Sequence, residues 1–433
     1  MGNETETLQK VGALADVAAD EDKLFDDGFV KGIASFIREC ATPMTIAIQG
    51  GWGAGKTSLI SLIDQELQVE PDPPNGNKPP APKYCEDIIN VANVDIWQQS
   101  VANPKANLFE DLVSEVVLKL AGTNSATVKK VSDFASLAFD IVGAVTGGDS
   151  NSKDDSPLGS ILDWLFGAEP ESNNTMFGYD FANSEEIKEL QDAFVDALRQ
   201  SAKENGKTED ARFVVFVDGL DQIDPQAAVN FMEQIKTYLD CPHCVFVLAV
   251  DEKMLLDGTW KRFGDKVDEE RKRMFFDKLV QVPLRIPASA YNVNRFVTDL
   301  LKDEQALSGE FAEVIGTLLD SPAPRRIKRY INTLHLYRNI LGVPENEGDD
   351  SLAMLLAAVI LEVESKQGFD AVAQCTDGDE AFFDERIESA LGSMGTRDGI
   401  NWTALPALWH DGEAGGVDAA KRNAFLHWVR MLK

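Results

Sequence analysis

The sequence predicts an α/β fold: a P-loop-type parallel sheet covered on both faces, followed by a helical lid and a helical C-terminal region. Three observations carry this expectation. Short apolar runs alternate with helical periodicity up to Pro287, strand signals stop after it, and a glycine cluster joins the first run to a helix. With 433 residues the chain has room for two or three domains, each able to bury a core.

Residues 1–23 read as a polar N-terminal tail, and the α/β core follows over 24–287. Leu24, Phe25, Phe29, Ile33, Phe36 and Ile37 share one helical stripe that Pro43 ends. Met44–Gln49 is an apolar run of strand length, and a helix follows over Thr57–Gln68. Six prolines between Pro71 and Pro82 make an extended loop. Ile88–Trp97 is the second strand, and a helix from near Pro104 carries Leu108, Leu112, Val116 and Leu120.

Residues 122–183 mix Gly, Ser, Asn and Asp with two mildly apolar stretches, Phe134–Val145 and Leu158–Phe166. Both are too short for a membrane span, and Asp133, Asp140 and Asp163 bound or interrupt them. They read as a soluble, partly mobile insertion. A helix over 184–204, a strand over Phe213–Val217, a helix over 225–239, a strand over Val245–Val250, a helix over 268–278 and a strand over Leu279–Ile286 complete the core. Residues 288–342 are the helical lid. The tail, 343–433, carries helices over Leu352–Val363 and Asp379–Leu391 and a Trp-containing end.

Lys and Arg number 41 against 72 Asp and Glu, a formal charge of −31. Such a surface repels phosphate backbones and anionic lipid, so general nucleic-acid and membrane-surface binding are disfavoured. The five cysteines are sparse and odd in number, and the first residues form no apolar signal segment. Reduced thiols in a cytoplasmic protein are the expectation.

Gly50-Gly51-Trp52-Gly53-Ala54-Gly55-Lys56-Thr57 fits G-x-x-x-x-G-K-[ST], after a strand and opening a helix. Glycines let successive backbone N–H groups converge on phosphates, and the helix N-terminus adds its dipole. Lys56 is expected at the β- and γ-phosphates and Thr57 at Mg²⁺, with Ser58 next on the helix. Asp218 ends five apolar residues, where packing gives an ionised group no reason to be, and it is assigned to Mg²⁺. The next position, often a second acid that polarises the attacking water, is Gly219. Asp221 is the nearest substitute, with a helix cap or loop carboxylate as its alternative. No N-K-x-D sequence reads guanine, which leaves ATP as the nucleotide.

The segment Gln49–Leu59 resembles the WGxGK[ST]S loop of the KAP family of P-loop NTPases. Val94-Asp95-Ile96-Trp97, Val214–Gln222, Val245–Asp251, Lys278–Pro287 and Pro324–Arg329 resemble that family's later motifs in the same order, over roughly 24–342. The resemblance implies an ASCE-type ATPase core, related to AAA+ and STAND proteins, with a helical lid. It places Asp251 at the sensor position beside the γ-phosphate and brings Arg325 or Arg326 to the nucleotide from the lid. Gly219 and Gln222 depart from the family's "DDLDR", which points to slow hydrolysis. Soluble 122–183 stands where many members carry transmembrane helices. Prokaryotic members are linked to phage exclusion, so antiviral defence is among the roles implied. The expected function is a Mg-dependent ATPase acting as a nucleotide-controlled switch or assembly module, working as a homo-oligomer or with a protein effector. A non-hydrolysing ATP-stabilised scaffold is the alternative, and an ATP-driven DNA-handling protein stands behind both.

Other features carry bland readings beside sharp ones. Cys241-Pro242-His243-Cys244 matches an oxidising dithiol motif, but it follows a helix and precedes a strand, so buried structural cysteines are favoured. The basic run Arg325–Arg329 reads as a helix pairing phosphates and an acidic neighbour rather than as a nucleic-acid patch. Arg271, Lys272 and Arg273 are an arginine finger for a neighbouring subunit or a solvated face. Trp52 stacks on adenine or packs under its loop, the second being favoured.

Overall fold

The computed structural model describes residues 25–68, 88–102, 107–120, 125–146, 184–208, 210–258, 269–301, 308–320, 323–344, 347–375, 383–392, 395–397, 399–410 and 416–433. The proline-rich loop, the tail 1–23 and the stretch Leu158–Phe166 lie outside them. The described chain divides into two units. One is Asp27–Trp52 with Lys56–Ile286, and the other joins Phe25 and Asp26 to Gly53–Gly55 and Pro287–Lys433.

The first unit is a five-stranded sheet with β1 Met44–Gln49, β2 Ile88–Asp95, β3 Arg212–Asp218, β4 Cys244–Val250 and β5 Val282–Arg285. Its order is β2-β3-β4-β1-β5, and every pairing is parallel. All seven residues of β4 are buried, which suits its unbroken apolar run. β5 lies at an edge and pairs with β1 alone, so Pro283 is tolerated despite its missing N–H.

Its helices are α1 Asp27–Glu39, α2 Lys56–Gln68, α3 Ile96–Ala102, α4 Leu108–Leu120, α5 Ser125–Thr146, α6 Ser184–Glu204, α7 Pro225–Gln234, α8 Glu252–Gly258 and α9 Glu269–Leu279. Pro225 pre-sets the first turn of α7, and the Asp224 side chain accepts the N–H groups of Gln226 and Ala227. A π-helical turn, Ile235–Leu239, prolongs α7 to the limit the sequence predicts.

Two expectations need correcting. Ile96 and Trp97 open α3 instead of ending a strand. More consequentially, the supposed insertion begins with a core helix. Val131, Phe134, Ala135 and Ala138 of α5 are buried, and Phe134 stacks on Phe194 of α6 with centroids 4.7 Å apart. Its inward stripe has only one large ring among small residues, which weakens the periodic signal while still filling the space beneath α6.

In the second unit α10 Val293–Leu300, α11 Ser308–Leu318 and α12 Pro324–Leu341 precede α13 Asp349–Glu364, α14 Lys366–Cys375, α15 Phe383–Gly392 and α16 Ala419–Leu432. Ten consecutive residues of α13, Leu352–Leu361, are buried, so this helix is the hub of the unit. Trp402 and Trp409 are buried, and Trp428 Nε1 donates to the Ser351 carbonyl at 2.8 Å. A two-residue ladder, Thr396–Arg397 with Ile400–Asn401, is a strand pair that the helical expectation lacked. Among the described residues no helix is long and apolar enough to cross a membrane.

Candidate functional site

β1, β3 and β4 deliver their last residues to one edge of the sheet because all the strands run parallel. β1 ends at Gln49, and Gly50 N–H donates to the Val250 carbonyl at 3.3 Å. The loop then turns through Gly53 and Gly55 at φ of 80° and 87°, a conformation that demands glycine.

Lys56 opens α2 in the first unit, yet its side chain is only 6% exposed. The ammonium donates to the Gly50 carbonyl at 2.7 Å and the Gly51 carbonyl at 3.1 Å. It also pairs with Asp221 Oδ2 at 2.7 Å, and that carboxylate is itself 8% exposed. Asp221 therefore stands against the loop lysine. Its negative charge balances a cation that would otherwise be buried alone.

Asp218 ends β3, accepts Gly219 N–H at 2.8 Å and is hydrogen-bonded to the Thr57 side chain. Burial pushes its carboxyl above the ordinary carboxylate range. The Thr57 and Gly219 bonds oppose that rise, and like charge from Asp221 and Asp95 adds to it. A cation at Asp218 would relieve both burial and repulsion. The donors at hand, one hydroxyl and one carboxylate, are the hard oxygens that suit Mg²⁺. Among the described residues no three His, Cys, Asp or Glu side chains form a metal cluster. A two-donor set fits an ion that keeps most of its shell for water and phosphate. Ser58 is half-buried on α2 behind Thr57.

Asp251 follows β4, where its Oδ1 accepts Lys253 N–H at 3.0 Å and caps α8. Two groups at this edge escaped the sequence reading. Asp95, opposite Asp218 in the β2–β3 register, is one. The other is Arg285, opposite Gln49, whose Nε donates to Gln49 Oε1 at 3.3 Å while its guanidinium pairs with Glu252. Both fall within segments that resemble the family's motifs, but nothing in their spacing marks either as part of a site.

In the second unit the loop tip Gly53–Gly55 meets Tyr291, whose hydroxyl donates to the Ala54 carbonyl at 2.7 Å. Burial pushes the Tyr291 phenol far above its ordinary range, so it stays a donor. A cavity of about 370 Å³ opens beside it, with Asp26 and Asn292 in its wall. Arg325 lies against the tip: a Cβ on Gly53 would stand 2.9 Å from Arg325 Cβ.

Arg326 is placed differently. Its guanidinium pairs with Glu364 Oε2 of α13 at 2.9 Å, while Arg329 pairs with the same carboxylate and Tyr330 donates to it at 2.6 Å. Of the two adjacent arginines, Arg325 packs on the loop tip, while Arg326 is bound to an acidic neighbour.

Trp52 is 77% exposed, so it does not pack under its loop. Cys241 and Cys244 are buried free thiols with sulfurs 3.4 Å apart, and burial raises the Cys244 thiol well above its ordinary range. That favours the inert reading of the motif. Arg273 is exposed on α9, and the side chains of Arg271 and Lys272 lie outside the described residues.

Residues 27–341 match the family model described as the KAP family P-loop domain. No curated protein matches the chain. Among solved structures it is similar to the ORC2 protein of Aeropyrum pernix in its ADP form, at 12% identity, with 91% of this chain and 86% of that chain covered and a TM-score of 0.36. The ADPNP–ADP complexes of the same protein align at 11% identity over 94% and 99% of the two chains, with a TM-score of 0.30.

Proposed function

The chain belongs to the KAP family of P-loop NTPases, a nucleotide-binding family, and on that premise we propose that it is a Mg-dependent ATPase of slow turnover. The observation that carries this reading is the meeting of Lys56, Thr57 and Asp218 where a glycine loop joins a buried strand to a helix. The loop amides and Lys56 bind the β- and γ-phosphates, and Lys56 exchanges Asp221 for phosphate oxygens. Thr57 and Asp218 hold Mg²⁺, which when bound neutralises charge on the triphosphate. Asp251 reads the γ-phosphate end of the site, and Arg325, packed on the loop tip, senses whether the loop is filled.

Nucleotide occupancy then switches assembly with further copies or with a protein effector. Free thiols fit a cytoplasmic setting, and anti-phage defence is a role compatible with such a switch. A non-hydrolysing scaffold is the second reading. Gly219, which leaves no acid after Asp218, favours it.

Calorimetry with Mg-ATP and steady-state phosphate release test the proposal together. The parent is expected to bind and release phosphate slowly. Lys56→Ala should lose turnover about 10²–10³-fold, since removing one preorganised electrostatic donor has effects of that order. Absence of binding heat with well-folded protein overturns the reading. Binding without phosphate release above the Lys56→Ala level selects the scaffold.

A further inference from the structure

Position 219 cannot carry a side chain. Gly219 has φ +77°, and a Cβ there would stand 2.8 Å from Asp95 Oδ1, 2.9 Å from Trp97 N and 3.0 Å from Trp97 Cβ. Two of those obstacles belong to the start of α3 and cannot yield without moving backbone. The nearest one is itself a carboxylate oxygen. β2 and β3 run side by side with Asp95 opposite Asp218, so both acids emerge at the same edge of the sheet. Asp95 Oδ1 accepts Gln98 N–H at 3.0 Å, and Oδ2 has no partner among the described residues.

Of the acids near this edge, Asp95 is the one whose carboxylate oxygen stands against position 219, while Asp221 lies on Lys56 and Asp251 caps α8 beyond the end of β4. We infer that Asp95, reaching across from the neighbouring strand, supplies the acid that the Asp218–Gly219 turn lacks and takes the proton of the attacking water. The inference rests on the ATPase reading above. As the water oxygen bonds to the γ-phosphorus, its proton passes to Asp95. The bond from phosphorus to the bridging oxygen breaks, and its electron pair stays on the β-phosphate of ADP. Asp95 then returns the proton to solvent, leaving ADP and inorganic phosphate. The Gln98 bond holds the carboxylate in place.

Asp95 also caps α3, and the test separates the two roles. Asparagine caps a helix as well as aspartate but accepts no proton from water at neutral pH. Asp95→Asn should keep the parent's melting temperature and its Mg-ATP affinity within about twofold, while phosphate release falls about 10²-fold, the usual lower scale of general-base assistance. Asp95→Ser should behave alike, and Asp95→Glu should recover part of the rate. If Asp95→Asn or Asp95→Ser releases phosphate at the parent's rate, Asp95 is a cap only and the inference falls while the ATPase reading stands. A parent that binds Mg-ATP without turnover also removes the inference, with nucleotide binding intact. A parent with no binding heat removes both.

Discussion

Lys56 with Asp221 and Arg326 with Glu364 are two cation–carboxylate pairs of similar length, 2.7 Å and 2.9 Å, and both are largely withdrawn from water. Their settings differ. On the proposed reading, the amides of the glycine loop that holds Lys56 meet an anion, and phosphate replaces its carboxylate. Glu364 gathers Arg326, Arg329 and the Tyr330 hydroxyl from one helix face onto the hub helix of the same unit. A partner shared three ways inside a packed bundle is a fastening, whereas one that can be displaced belongs to a site. The lesson for the Pro-Arg-Arg motif is that adjacent arginines carry different work.

The sharpest way to break this comparison is Glu364→Ala. It leaves two guanidinium groups without their anion, and the chain should lose about 2–3 kcal/mol in denaturant unfolding. Mg-ATP affinity should stay within about twofold. A large loss of nucleotide affinity with stability unchanged would move Arg326 into the site.

Asp221→Asn should also destabilise the ligand-free chain, by about 1–3 kcal/mol, because Lys56 is left with carbonyls alone. Mg-ATP should restore the loss, giving a larger ligand-induced rise in melting temperature than the parent shows. Equal rises in the two proteins would mean that Asp221 is a fastening too.

The smallest effect is on pH dependence. Burial raises the Glu364 carboxyl, but bonds from Arg326 and Tyr330 and the charges of both arginines outweigh it and hold it below the ordinary range. A depressed carboxylate contributes stability above its unfolded value, near 4.3, and loses it as pH falls through the folded value. Glu364→Gln should therefore flatten the acid limb of the stability–pH curve. Asp111, with its carboxyl raised to about 6 by burial, acts in the opposite direction. It weakens the fold as pH rises from about 4 to 6.

All five strands were legible because buried parallel strands must be apolar throughout, and such runs stand out from helical periodicity. That Lys56, Thr57 and Asp218 lie together was legible because the first two fall in a loop motif of fixed spacing and the third is an acid ending a buried apolar run. What escaped depended on distance in the chain. Glu364 lies 38 residues beyond Arg326, and no local pattern joins them. Asp95 resembles any acid at a strand end until the register sets it opposite Asp218. Helix α5 was read as part of a loose insertion because its buried positions are mostly small, and composition dominated periodicity.

The carboxylate against Lys56 has one more consequence. On the proposed reading the loop resembles an ion-exchange resin loaded with a counter-ion, which an incoming nucleotide must displace. Inorganic phosphate would then offer little beyond what Asp221 provides, whereas a polyphosphate chain would also reach the loop amides and the proposed metal. Competition of this kind would discriminate among anions without a dedicated gate.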